Sequence, residues 1–174
     1  MRVAVRDTAS SKVGSATQFI EVPNLEKKRL TLSGLTLQNF TLNEWQAQQN
    51  QTAAENTVLE EVAKVKNDTA FRRFKRGSIL TFGYTIYNAK LDAKKQPNLQ
   101  TQMRLYRDGK LILNGAAKPL DSSGQTDLAR ISINSAIALA EQMQPGEYIL
   151  QIVVTDISAK RAVANQWIDF EVVN

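Results

Sequence analysis

The sequence predicts an all-β protein, an immunoglobulin-like antiparallel β-sandwich of about seven to nine strands with one short inserted helix. Three observations lead to this prediction. Apolar and polar residues alternate in several runs bounded by turn residues, as in strands that bury one face. The dipeptide Asp108-Gly109, which is typical of a tight hairpin turn, joins two of these runs. The chain also ends in two long strand-like runs, which favours a sandwich.

Composition limits the classes of function. The 174 residues are enough for one hydrophobic core, and 43% hydrophobic with 22% charged residues is typical of a globular domain. The chain contains no cysteine and no histidine, which excludes disulfides, thiolate nucleophiles, Cys/His zinc sites and imidazole-based triads. A carboxylate pair, a Ser-Lys dyad or an oxygen-ligand metal site stays open in principle. We predict that the chain is not an enzyme and uses no cofactor or metal.

The strand candidates follow one another along the chain. In residues 30–37 the alternation slips at Gly34, as a β-bulge would cause. Residues 78–88 and 99–107 alternate regularly, and residues 111–113 should return antiparallel to the second of these runs after the Asp-Gly turn. The remaining candidates are residues 130–135 and 148–156.

One segment departs from the strand pattern. Residues 57–66 place valines at helical spacing, and Thr57 with Glu60 forms a capping-box pair. We therefore predict the inserted helix there. Residues 45–55, rich in Gln, Asn and Ala, are predicted to be a mobile connection.

A hairpin pattern occurs twice. Each copy has an apolar strand that ends on Asp, at Asp7 and Asp156, followed by a small-polar turn and then Gln-aromatic-Ile. Residues 24–174 are predicted to form the sandwich. Residues 1–23 are either the last hairpin of a truncated preceding domain or two extra strands of the same sandwich. An unpaired hairpin would expose strand edges, so self-association through it is a further expectation.

Gly146-Glu147-Tyr148 precedes the penultimate strand. Immunoglobulin-like folds place a tyrosine at such a corner, with its hydroxyl bonded back to the backbone. We predict this role for Tyr148.

Five runs of the sequence resemble a known family in the same order along the chain: AVRDTASSKVGSATQFIEVPNLEKKRLTLSGL, FRRFKRGSILTFGYTIYNA, TQMRLYRDGK, PGEYILQIVVTD and NQWIDFEV. They are similar to the region downstream of the von Willebrand factor A-like domain in acidobacterial "VWFA-related domain" proteins. The resemblance implies an exported parent, in which this segment is a C-terminal β-sandwich next to an upstream domain. It thus implies an extracytoplasmic location, whether periplasmic, cell-surface or secreted, although this chain shows no signal peptide. It implies no activity.

The metal-dependent adhesion motif of A-type domains, Asp-x-Ser-x-Ser, is not reproduced here. The nearest sequence runs from Asp7 to Ser11 and has Ala9 where the first serine is required. We interpret this segment as a turn.

A basic cluster interleaved with aromatics is the first candidate surface. Arg72, Arg73, Lys75 and Arg76 alternate with Phe71 and Phe74 and could bind an anionic glycan or a partner protein. In the alternative interpretation, which we favour, both phenylalanines turn into the sandwich and the cations stay solvated.

Exposed aromatics are the second candidate. The aromatics suitable for stacking on sugar rings are Trp45, Tyr87, Tyr106 and Trp167. Trp45 lies in a polar segment and is the better exposed candidate, whereas Trp167 is expected in the core or an interface. Asp169 and Glu171 alternate with apolar residues and should face solvent. Four loop aspartates could offer oxygen ligands to calcium, but no Asp-x-Asp spacing supports this: Asp92, Asp121, Asp127 and Asp156.

These observations predict a non-catalytic binding or spacer module of a larger exported protein, acting through protein-protein or envelope interactions. A carbohydrate-binding module is the alternative, so the expected partner is a protein or a glycan. Nucleic acid is not expected, because the cations behind the net charge of +5 are spread along the chain. Direct membrane insertion is not expected either, because no run reaches the roughly 18 apolar residues of a span.

Overall fold

The structure is a computed structural model that describes residues 2–17, 24–51 and 72–174. These residues form twelve strands, one α-helix and one 3₁₀ turn, in the following order: β1 (Arg2–Arg6), β2 (Val13–Thr17), the 3₁₀ turn (Leu25–Lys27), β3 (Thr31–Leu32), β4 (Thr36–Thr41), α1 (Leu42–Gln51), β5 (Arg73–Lys75), β6 (Ser78–Tyr87), β7 (Leu99–Arg107), β8 (Lys110–Asn114), β9 (Lys118–Pro119), β10 (Arg130–Leu139), β11 (Gly146–Asp156) and β12 (Ala162–Val173).

Two sheets build the sandwich. The large sheet has six strands in the order β5-β12-β11-β7-β8, with β9 also paired to β7. The small sheet has four strands, in which β6 pairs with β10 on one side and with β3 and β4 on the other. Every pairing is antiparallel except the short parallel ladder between β5 and β12.

The core lies between the two sheets. Alternate residues of β6, such as Leu80 and Ile86, and of β11, such as Leu150 and Val154, are fully buried and belong to one hydrophobic cluster. Burial of these facing apolar surfaces is the main driving force for packing one sheet on the other. The predicted all-β sandwich is confirmed.

The predicted hairpin around Asp108-Gly109 is also confirmed. Asp108 and Gly109 have φ values of 50° and 72°, and strands β7 and β8 pair on either side of them. Two consecutive positive φ angles match the twist of the strands that they connect. The predicted strands 78–88, 99–107 and 148–156 are present, and the one at residues 130–135 continues to Leu139 because its whole length pairs with β6.

The slip predicted at Gly34 divides residues 30–37 into β3 and β4. Between them, the backbone N–H of Ser33 donates to the Thr85 carbonyl at 2.9 Å, and its hydroxyl accepts from the Thr85 N–H at 2.9 Å. This division, together with very short strands such as β5 and β9, raises the strand count above the predicted range. Strands of two or three residues contain too little alternation to be recognised in a sequence.

The helix of the described residues is α1, which begins at Leu42 and continues into the segment predicted to be a mobile connection, so that prediction is wrong for residues 45–51. Thr41 and Glu44 form a capping box. The Thr41 N–H donates to the Glu44 carboxylate at 2.7 Å, and the Glu44 N–H donates to the Thr41 hydroxyl at 3.3 Å. The helix predicted at residues 57–66 lies outside the described residues.

Strands β1 and β2 form a separate two-stranded sheet, with Arg2 opposite Thr17 and Arg6 opposite Val13. Val5 and Val13 are 67% and 66% exposed. The first copy of the repeated pattern is thus a hairpin. Its assignment to a preceding domain or to this sandwich stays a prediction.

Tyr148 fulfils its predicted role at the corner. Its side chain is buried, and its hydroxyl donates to the backbone carbonyl of Gln144 at 2.6 Å. The guanidinium carbon of Arg107 lies 5.8 Å from the centroid of the Tyr148 ring. Within the described ranges, no helix has the length and apolar character needed to cross a membrane.

Candidate functional site

The basic cluster on β5 is largely occupied by contacts within the protein. Arg72 lies 2.8 Å from the Asp169 carboxylate, and Arg73 lies 2.8 Å from that of Glu171. Phe74 is 1% exposed, and its ring centroid is 6.1 Å from that of Phe170. Phe74 therefore faces inward, as the favoured interpretation predicted, while Phe71 lies outside the described residues.

The other two cations differ from each other. Arg76 donates to the Asn174 side chain at 2.7 Å and to the carbonyls of Glu141 and Met143 at 3.3 and 3.4 Å. Lys75 is exposed. Because three of the four cations have close polar partners, the cluster fastens β5 to its neighbours more than it offers free charge.

Trp45 does not join this cluster. It lies on α1, is partly buried, and its ring centroid is 6.1 Å from that of Phe40. Phe40 belongs to β4 in the small sheet, whereas β5 belongs to the large sheet. The sequence-predicted surface residues therefore do not form a single site.

The loop aspartates hold their own turns. Oxygens of Asp92, Asp121 and Asp127 accept backbone N–H groups two residues ahead, at 2.8 to 2.9 Å. Hydrogen bonds from the Ser123 hydroxyl and N–H lower the pKa of Asp121. Among the residues described, no three acidic side chains come together as potential metal ligands.

Asp7 fixes the turn of the first hairpin in the same way. Its carboxylate accepts from the Ser10 hydroxyl and from the Ala9 N–H, and these hydrogen bonds lower its pKa. The segment that resembles the adhesion motif is thus a turn, as interpreted from the sequence.

The outward-facing side of the large sheet carries a group of aromatic and polar side chains that sequence reasoning did not bring together. Gln151 on β11 pairs with Trp167 on β12 and with Arg104 on β7. Cross-strand partners share one side of a sheet. Because the alternate residues Leu150 and Ile152 are buried in the core, this row points outward. We call this side the outer face.

Trp167 is 58% exposed at the centre of β12. It is therefore not a core residue, contrary to one of the two expectations from the sequence. The alternation along β12 already indicated that Trp167 is exposed. Trp167, Asp169 and Glu171 are spaced two residues apart and so face the same side, and the two acidic residues were predicted to face solvent. The outer face thus presents an indole on a regular strand.

Hydrogen bonds connect the polar side chains beside this indole. The Arg104 guanidinium donates to the side-chain oxygen Oε1 of Gln102 at 2.9 Å, and the Gln102 side-chain N–H donates to the side-chain oxygen of Asn114 at 3.1 Å. The Tyr106 hydroxyl donates to the Gln151 side chain at 3.2 Å. These contacts hold the side chains in place before any ligand arrives, which reduces the entropy that binding costs.

The spacing of the two aromatic residues also suits binding on the outer face. Tyr106 on β7 lies opposite Ile149 of β11, whereas Trp167 on β12 lies opposite Gln151 of β11. Tyr106 and Trp167 are therefore two strands apart and offset by two residues along the strands. Two strand spacings and a two-residue offset place the Cα atoms of the two residues about 12 Å apart.

No protein-family model matches the chain, and no curated protein matches it. The geometry of the outer face is therefore the basis for proposing a function.

Proposed function

We propose that this chain is a non-catalytic binding module that holds its partner on the outer face of the large sheet. The exposed indole of Trp167 supports this proposal. Tryptophan, tyrosine and arginine carry much of the binding energy at protein interfaces, and Trp167, Tyr106 and Arg104 lie together on this face.

The proposed context is a larger exported bacterial protein with a von Willebrand factor A-like domain, in which this module mediates protein-protein or envelope interactions or serves as a spacer. The five resembling sequence runs support this context. Fractionation of cells that make the parent protein tests it, with antibodies raised against this chain. Detection in the periplasm, at the surface or in the medium would agree, whereas detection in the cytoplasm alone would contradict it.

Substitution of Trp167 tests the binding proposal. Immobilised protein is incubated with a purified envelope fraction, and the retained partners are compared between wild type and W167A. Retention should fall strongly in W167A, because a central aromatic contributes about 2 kcal/mol or more at a binding hot spot. Trp45→Ala is the matched control, since it removes the second of the two tryptophans at a site away from the outer face.

The claim that the module is non-catalytic has its own test. A broad panel of hydrolase substrates should show no turnover. Turnover that a single Asp or Glu substitution abolishes would rule the claim out.

A carbohydrate-binding module is the second candidate, and one arrangement favours it. The rings of Trp167 and Tyr106 share the outer face with the amides of Gln102 and Gln151. Aromatic rings can stack on the apolar side of a sugar, and amides both donate to and accept from hydroxyls. A glycan would therefore find both kinds of contact on one side of the sheet.

Affinity electrophoresis in gels that contain soluble polysaccharides tests this candidate. A polysaccharide that retards the wild type should retard W167A much less and W45A equally. Equal retardation of W167A and wild type would contradict carbohydrate binding at the outer face.

A further inference from the structure

A cavity of about 710 Å³ lies beside the end of β6 and the turn between β11 and β12. Asn88 and Ala89 form one part of its wall, and Ala159 and Ala162 form another. Its volume is within the roughly 300–1,000 Å³ of sites for small molecules. Its position at the end of the sandwich distinguishes it from the centre of the outer face.

The charged residues that line this cavity are all positive. Lys28, Arg29 and Lys90 line it, and none of the described residues that line it is acidic. In the described part of the chain, the ion pairs are made by other arginines, namely Arg72, Arg73 and Arg107. Three cations around one cavity repel each other, and a bound anion would turn this repulsion into attraction.

Hydrogen bonds hold the loops that carry these cations. The Asn88 side chain donates to the carbonyls of Leu25 and Arg29, at 3.1 and 3.2 Å, which ties the loop with Lys28 and Arg29 to the end of β6. This loop is thus positioned by the sheet.

A second anchor holds the opposite wall. The buried carboxylate of Asp156 accepts from the Lys90 N–H at 2.7 Å and from the Ala159 N–H at 3.0 Å. One side chain therefore fixes both the segment of Lys90 and the turn across from it. The cavity is assembled before a ligand binds, which lowers the entropic cost of binding.

Apart from Asn88 and the three charged groups, the lining is apolar and consists of alanine, leucine and valine side chains together with the aliphatic stems of the cations. We propose that the cavity binds a small organic anion. A carboxylate or phosphate group of the ligand contacts Lys28, Arg29 and Lys90, and the apolar body of the ligand lies against Ala89 and Ala162.

Titration of the full chain with a matched pair of probes tests this proposal. Benzoate and benzamide have nearly the same shape, but only benzoate carries a charge. Benzoate should shift the amide NMR signals of Ala89, Lys90 and Ala159, and benzamide should not. Inorganic phosphate should shift the same signals more weakly, because it has no apolar body.

Variants connect the binding to the three cations. The triple variant Lys28→Gln, Arg29→Gln, Lys90→Gln should bind benzoate at least roughly tenfold more weakly, because the carboxylate loses all three of its positively charged partners. A control variant with the same change in net charge replaces Lys75, Lys110 and Lys118 by Gln and should bind as wild type does. Thermal unfolding of both variants verifies that each is folded.

Three results would overturn the proposal: no shift with benzoate or phosphate, equal shifts with benzamide and benzoate, or equal affinity in the two triple variants. This test does not depend on partner binding at the outer face. W167A should keep its affinity for benzoate, so either proposal can be contradicted while the other stands.

Discussion

At the scale of single residues, buried polar side chains connect loops to strands. Asp156 is fully buried, yet both of its oxygens accept backbone N–H groups. Ser78 is 5% exposed and accepts from the Asn39 amide at 2.7 Å. Buried polar groups stabilise a fold only when they are paired in this way, and losing a partner costs more than the bond itself contributes.

Replacement of Asp156 by Asn should therefore destabilise the protein. An amide has a single acceptor oxygen, so one of the two N–H groups would lose its partner and face an N–H₂ group. We expect a loss of about 1–3 kcal/mol in the free energy of unfolding, measured by urea denaturation. Asp127→Asn, at an exposed turn, is the control and should change it by less than about 0.5 kcal/mol. Equal effects of the two substitutions would contradict this role of Asp156.

Tyr148→Phe removes the hydroxyl that donates to Gln144 and leaves the ring in place. We expect a loss of about 1 kcal/mol from this single hydrogen bond. The matched control is Tyr87→Phe, because Tyr87 is only partly buried on the other sheet. Urea denaturation of both variants measures the difference, and an unchanged Tyr148→Phe would show that the corner bond does not contribute to stability.

Tyr84 should make stability sensitive to alkaline pH. Burial raises its pKa, an effect that the hydrogen bond shared with Thr101 at 3.0 Å partly offsets. Since the folded-state pKa exceeds the unfolded value of about 10, the contribution is fully present below that pH and is lost as pH rises through the folded pKa. Spectrophotometric titration should show one of the four tyrosines ionising late, and Tyr84→Phe should remove that step.

At the scale of elements, local signals account for where the chain turns and begins its helix. Two positive φ angles at Asp108-Gly109 close the β7–β8 hairpin, and the Thr41–Glu44 capping box starts α1. The capping box explains why a polar segment without an apolar stripe is helical there. Its first orphan N–H groups are satisfied by side chains.

Thr41→Ala should therefore fray α1. Losing a threonine N-cap costs about 1 kcal/mol of helix stability. Amide hydrogen exchange should become faster across α1 while the strands of the core keep their protection. Asn43→Ala is the control, since Asn43 is exposed in the first turn of the helix. Equally fast exchange in the control variant would argue against the cap.

At the scale of the whole molecule, the residues of the sandwich core are buried, whereas the valines of the N-terminal hairpin are exposed. Every buried hydrophobic residue of the described chain lies between Leu32 and Val172. Strands β1 and β2 expose Val3, Val5 and Val13, and β1 is exposed at all five positions. Because little apolar surface of these strands is buried, their removal should leave the core intact.

Deletion of residues 1–17 should therefore leave the midpoint of thermal unfolding unchanged. A clear decrease would show instead that the hairpin stabilises the sandwich. The same variant tests self-association through the hairpin. If exposed strand edges pair between copies, size-exclusion chromatography should show a larger species for the full chain than for the deletion variant.

Much of the architecture could be predicted because its signals are local. The alternation in β6, β7 and β11 gives their boundaries to within a few residues, and Tyr148 was recognisable from its position before a strand. Residues 45–51 were predicted to be a connection because the Thr41–Glu44 capping box was not recognised in the sequence. The helix predicted from the Thr57–Glu60 pair lies outside the described residues and stays a prediction.

The candidate sites were harder to predict. The outer face could have been found from the phase of Trp167 along β12. The number of strands between Trp167 and Tyr106 could not have been found in this way, because it depends on which strands pair in the folded sheet. The cavity was not predictable at all, because its wall combines residues 28–30 and 88–90 with Ala159, Ala162 and Val163.

The amino-acid sequence alone therefore specifies an all-β chain, the main strands and the turn at Asp108-Gly109, because period-two burial and positive φ angles depend on neighbouring residues. Tertiary structure alone decides the partners of the cations. Arg72 and Asp169 are 97 residues apart in sequence and 2.8 Å apart in space, because β5 pairs with β12. Lys28, Arg29 and Lys90 remain available to an anion because the folded chain places no carboxylate of the described residues in their cavity.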